Sequence, residues 1–164
     1  MEKVKNPMWQ WVRFIIVFLT IVIISLTALI LFQASRPFAD AEQKATSVAL
    51  KEEYLSSVER METYNGNDVQ YVLYGKEKGE KKAVILDESL VKLKTIQMSK
   101  GISRQQAIDI VQKEFPVKKV IHAKLGYEEE HVFWEVVFKG ENDTLNYVYL
   151  LFEDGKWWKR ILNL

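Results

Sequence analysis

The alternation of apolar and polar positions divides the chain into an unbroken apolar run and two similar mixed stretches. From Phe14 to Phe32, nineteen consecutive residues include no charge, proline or glycine. Wound as a helix at 1.5 Å per residue, the run is about 28 Å long, matching a bilayer core of about 30 Å. A helix satisfies its own backbone polar groups in lipid, so this pattern predicts a membrane-spanning helix. Residues 38–55 follow with Phe38, Ala41, Ala45, Val48, Ala49 and Leu55 at three-to-four spacing, the stripe of a second helix. Arg36-Pro37 is expected to part the two helices, since proline disfavours helix at the residue before it.

The period then changes from helical to alternating. Strands are predicted near Ser57–Tyr64, Val69–Tyr74, Lys82–Leu86 and Leu90–Gln97, with turn chemistry at Asn65-Gly66-Asn67-Asp68 and at 76–80. The same order recurs. Ser103-Arg104-Gln105-Gln106 is a capping-box pattern that opens a helix to Phe115, stopped by Pro116. Strands follow near Lys118–Tyr127, His131–Phe138, Leu145–Phe152 and Trp157–Leu162. Ala45 corresponds to Ala107, 62 positions on, and Tyr64, Val69 and Tyr71 to Tyr127, Val132 and Trp134, 63 on. A repeated helix-plus-four-strands unit predicts an α+β fold in which each helix packs on an antiparallel sheet. The expected organisation is a tail at 1–13, an anchor at 14–35, a first domain at 38–98 and a second at 100–164, linked near Met98 to Gly101.

Charge adds orientation. Lys3, Lys5 and Arg13 precede the apolar run, so the positive-inside bias places the N-terminus in the cytoplasm and residues beyond about 36 outside. Trp9 and Trp11 occupy the place of an interfacial aromatic belt. A cleaved signal peptide is the rival, but its apolar region is shorter, and Phe32-Gln33-Ala34 lacks the small-residue pattern of a cleavage site. The net charge of +1 is spread through the chain and leaves no basic footprint for nucleic acid. The absence of cysteine removes thiol chemistry and cysteine metal sites, and an extracytoplasmic domain without disulfides suits a Gram-positive bacterium.

Candidate chemistry is sparse. His122 and His131 are the two histidines, on neighbouring strands, with no evident third ligand for a metal. Glu128-Glu129-Glu130 lacks the alternating ligands and central glycine of a calcium loop. No serine sits in a nucleophile elbow, and the seven glycines are scattered through turns. The residues predict no enzyme, cofactor or metal. Aromatic residues are the exception. Along Leu145–Phe152 both faces are apolar, with Leu145, Tyr147, Tyr149 and Leu151 on one and Val148, Leu150 and Phe152 on the other. One helix covers one face, so the other meets the first domain, a second copy, a partner protein or the membrane surface. Tyr147, Tyr149, Trp157 and Trp158 are the candidate partner-binding residues, chosen as interface-type aromatics.

The short tail, the single anchor, the Ala-rich helix and the Tyr64-Asn65-Gly66 strand-turn resemble the TseB-like (YpmB) cell wall elongation regulators of Bacilli. Ile102-Ser103, Ala107 and the strand Val132-Phe133-Trp134-Glu135-Val136 resemble a PepSY unit. The resemblance implies two cystatin-like domains outside the cell membrane. It further implies a non-enzymatic regulator that binds a membrane-bound class B penicillin-binding protein and acts on lateral wall synthesis. The alternative implied by PepSY units is an extracellular protease inhibitor or chaperone-like module.

Overall fold

The computed structural model describes residues 7–164, so Lys3 and Lys5 lie outside the described residues. The first helix, α1 (Pro7–Lys51), contains one segment long and apolar enough to cross a membrane, Met8–Phe32, with mean hydropathy 3.1. Its apolar side chains are exposed all round, from Phe14 and Leu19 to Ile23 and Ile30, as a lipid-facing helix requires. Thr20 and Thr27 donate their hydroxyls to the carbonyls of Ile16 and Ile23, each at 2.8 Å, so neither leaves a polar group unpaired in the apolar run. The expected break at Arg36-Pro37 is absent, because α1 runs through it. An interior proline removes one backbone bond, at about 3 kcal/mol, and helix on both sides can carry that loss. The helix ends instead at Lys51. Glu53 takes a left-handed conformation (φ 55°), and the N–H groups of Tyr54 and Leu55 both return to the Ala49 carbonyl.

The chain divides into two compact units, one up to Glu42 and the other Gln43–Leu164. The second unit holds two four-stranded antiparallel meanders. The first sheet is β1 (Ser57–Asn65), β2 (Val69–Glu77), β3 (Glu80–Asp87) and β4 (Lys92–Gln97), in that order. A short 3₁₀ turn, Met98–Lys100, leads to α2 (Arg104–Glu114), and Ser103 closes the predicted capping box with Gln106. The second sheet is β5 (Val117–Glu128), β6 (His131–Gly140), β7 (Leu145–Leu151) and β8 (Trp157–Ile161). The architecture is α+β, with strand boundaries close to those read from the alternation.

Two apolar clusters hold the second unit together. The last turns of α1 put Ala45, Ala49 and Val48 on one face of the first sheet, against Leu73, Val84 and Leu86, with Leu55 closing the edge. The other face of that sheet presents Tyr64, Val72, Tyr74, Ala83, Ile85 and Ile96. These join Ala107 and Val111 of α2 and Leu125, Phe133, Trp134, Val136 and Leu150 of the second sheet in a single cluster. At about 1.5–3 kcal/mol for each large apolar side chain buried, this shared cluster dominates the packing that joins the halves. The repeat is inexact between the first two strands of each sheet. Thr63 pairs with Tyr71 and Leu125 with Trp134, so Tyr64 and Tyr127 fall on non-equivalent faces. That single step sends Tyr64 into the joint between the sheets.

A candidate protein-binding face on the second sheet

Register fixes the face. In the β6–β7 ladder, Phe133 stands opposite Leu151, Glu135 opposite Tyr149, and Val137 opposite Tyr147. Alternation turns Trp134, Val136 and Phe138 to the other side, with Val148 and Leu150. Phe133 is fully buried and forms the hub of an aromatic group, with ring centroids 5.6 Å from Tyr64, 5.5 Å from Tyr149 and 4.8 Å from Trp158. A register shift between Tyr149 and Leu150 in the β7–β8 ladder accompanies the arrival of Trp158 on this face. The Lys159 ammonium lies over the Trp158 ring, 3.9 Å from its centroid.

The four sequence-predicted residues divide. Tyr147 and Tyr149 are half-buried neighbours on the face, and Trp158 packs edge-on to Tyr149 at 6.3 Å. Trp157 pairs with Leu150 and packs against Phe115 at the end of α2, on the opposite side, where it is 41 % exposed. The structure therefore gathers three of the four and separates Trp157 from them.

A carboxylate at the centre of the face was not singled out in the sequence. Glu135 is only 7 % exposed, with Oε1 3.1 Å from His122 Nε2. Burial, then the Glu135 charge, pushes the Tyr149 hydroxyl well above its ordinary pKa, which keeps it a donor. The signal for Glu135 was present, as the one charged residue within the otherwise apolar run Val132 to Phe138. His131 stands opposite Glu128, at the far end of the ladder from His122, which stands beside Val137. The two histidines do not converge, and among the described residues no group of three metal-binding side chains comes together.

The first sheet supplies one edge of this face. The Tyr64 hydroxyl donates to Glu128 Oε1 at 3.1 Å, and the Asn67 backbone N–H donates to the same oxygen at 3.2 Å. Gln70 clamps the Tyr127 backbone twice, donating to its carbonyl at 2.6 Å and accepting from its N–H at 3.0 Å. Lys124 donates to the Thr63 carbonyl at 2.7 Å. The acidic run thus has a built-in member, Glu128, while Glu129 and Glu130 are exposed turn residues with positive φ. The face offers aromatic rings around a buried carboxylate.

Comparison with known proteins agrees with this organisation. Residues 44–87 match the cell wall elongation regulator TseB-like domain, and residues 101–151 match the peptidase propeptide and YPEB domain, PepSY. A curated relative, the probable cell wall elongation regulator TseB of Bacillus subtilis (strain 168), is 29 % identical over 167 aligned positions, covering 96 % of this chain and 98 % of the relative. The solved YpmB protein from Bacillus subtilis superposes with a TM-score of 0.64 at 28 % identity, over 72 % of this chain and 94 % of that one. A membrane-length helix, a TseB-like domain at 44–87 and a PepSY domain at 101–151 follow one another in this chain, which is similar over nearly its whole length to a probable cell wall elongation regulator.

Proposed function

We propose that this protein is a non-enzymatic, membrane-anchored regulator of cell wall elongation that works by binding a class B penicillin-binding protein outside the cell membrane. The observation that carries the reading is the match to a probable cell wall elongation regulator along 96 % of the chain, anchor included. In this reading residues 1–13 are cytoplasmic, the anchor crosses once, and domains at 38–98 and 100–164 lie outside. Tyr147, Tyr149 and Trp158 meet the partner, with Trp157 as a second contact on the other side of the sheet. Confinement by the anchor raises the effective concentration of both proteins, so a weak contact is enough. A photo-crosslinker placed at Tyr147 in native membranes tests this directly. Capture of a class B penicillin-binding protein is the expected result; efficient capture of other proteins alone rejects the partner.

A second reading draws on the peptidase-propeptide description of the family that residues 101–151 match. Here the outer unit restrains an extracellular protease. Slowed turnover by such a protease in the presence of the full-length protein is the result that would favour it.

A further inference from the structure

A cleft of about 540 Å³ opens between the first sheet and the start of α2, on a different part of the unit from the aromatic face. Arg60 of β1, Lys81 of β3, Ser99 of the 3₁₀ turn and Arg104 of α2 line it, beside Trp134. Both arginines converge on one atom. Arg60 and Arg104 each donate to Glu62 Oε1, the latter at 2.7 Å. Each guanidinium is also held from a second direction. Arg60 lies 3.7 Å above the centre of the Tyr74 ring, and Arg104 Nε donates to the Ala123 carbonyl at 2.7 Å. The Tyr74 hydroxyl occupies the other Glu62 oxygen at 3.2 Å.

One carboxylate needs one guanidinium, and here it has two. The rest of the lining does not balance the surplus. Lys81 is exposed and makes no ion pair among the described residues, and the Glu80 carboxylate accepts from Gln97 at 3.1 Å. The cleft therefore carries three cations against two carboxylates, with the arginine forks fixed before any ligand arrives. Guanidinium forks match the paired oxygens of carboxylate and phosphate groups, and pre-positioning lowers the entropic cost of binding. At the start of α2 the Gln106 N–H is taken up by Ser103 Oγ and the Ser103 N–H by Gln106 Oε1, so both are committed within the capping box.

We propose that this cleft binds an oxyanion-bearing ligand, a carboxylate or phosphate group received by Arg60, Arg104 and Lys81. The test uses the full-length, isotope-labelled protein in maltoside micelles, titrated separately with inorganic phosphate and with acetate at constant ionic strength. Saturable shifts of the Arg60 and Arg104 Nε–H signals and the Ser99 amide are expected. Stronger response to phosphate identifies a phosphoryl ligand, and stronger response to acetate a carboxylate. Arg104→Gln should raise the half-saturation concentration about tenfold or more, as loss of a charge-assisted fork implies. Lys81→Gln, at an exposed position that leaves packing intact, should raise it severalfold. Shifts that chloride reproduces, or that persist unchanged in Lys81→Gln, overturn the proposal even where Arg104→Gln fails to fold.

Discussion

Tyr64 donates its hydroxyl to the Glu128 carboxylate across 3.1 Å, joining the first sheet to the end of β5 in the second over 64 positions of sequence. The same ring lies edge-on to Phe133 at 5.6 Å, so one side chain makes both a polar and an apolar link between the halves.

The two links are separable by substitution. Tyr64→Phe keeps the ring and removes the donor, while Glu128 retains the Asn67 N–H, so a loss of about 1 kcal/mol is expected. Tyr64→Ala also strips the ring from Phe133 and should cost about 3–5 kcal/mol. Urea melts of the two variants in micelles measure both. Equal losses would show that the hydrogen bond, not the packing, holds the joint.

Gly101 precedes α2 where the chain passes close to β7. A Cβ built there lies 2.3 Å from the Phe152 backbone carbonyl oxygen and 2.5 Å from its ring, although the backbone φ of −151° suits any residue. The same carbonyl accepts the Ile102 N–H at 2.8 Å. Gly101→Ala should therefore cost about 1–3 kcal/mol by overpacking. Gly79 makes the opposite case, with φ +83° and open space around its missing side chain. Gly79→Ala should cost only about 1 kcal/mol, through backbone strain. Melting temperatures distinguish the two, and a Gly101→Ala variant as stable as the parent would show that the β7 end yields freely.

Most elements were legible because each sheet has one helix-facing side, which imposes a period of two on the strands, and because Ser103 and Gln106 announce their cap. The continuation of α1 through Arg36-Pro37 was not legible, since a local rule about proline ignores the helix on either side. The Tyr64–Glu128 and Gln70–Tyr127 contacts were hidden for a different reason. They depend on how two sheets meet, and neighbours in sequence carry no record of that. Trp157 and Trp158 show the same limit. Simple alternation puts them on opposite faces, but the register shift in β7–β8 decides which one joins Tyr149.

The aromatic face predicts an unequal response to truncation. Trp158 and Tyr149 both contact the buried hub Phe133, so Trp158→Ala should cost about 3 kcal/mol or more, and Tyr149→Ala about 2 kcal/mol or more. Tyr147 makes no ring contact with Phe133 and pairs at the sheet's more open end with Val137 and Ile161. Tyr147→Ala should change stability by less than about 1 kcal/mol while reducing partner crosslinking in membranes. Unchanged crosslinking in a folded Tyr147→Ala variant would remove this residue from the interface.

Alkaline pH should loosen the joint. Tyr64, Tyr74 and Tyr149 all have hydroxyl pKa values raised above the ordinary 10.0, in each case first by burial. The next cause is a carboxylate charge, from Glu128 for Tyr64, Glu62 for Tyr74 and Glu135 for Tyr149. Below about pH 10 these hydroxyls are protonated in folded and unfolded chains alike. Above it the unfolded chain releases the protons while the folded chain retains them. The unfolded state then binds fewer protons, and stability falls as pH rises, by at most about 1.4 kcal/mol per pH unit for each tyrosine. Tyr149 is half-exposed and should contribute less than the other two. Thermal melts between about pH 9 and pH 11.5, with tyrosinate absorbance as a second readout, should give a steep decline in the parent protein. Tyr64→Phe combined with Tyr149→Phe should flatten it, because those protons no longer differ between the two states. An identical decline in the double variant would assign the alkaline loss to other groups and would mean that the Tyr64 and Tyr149 hydroxyls ionise without unfolding the chain.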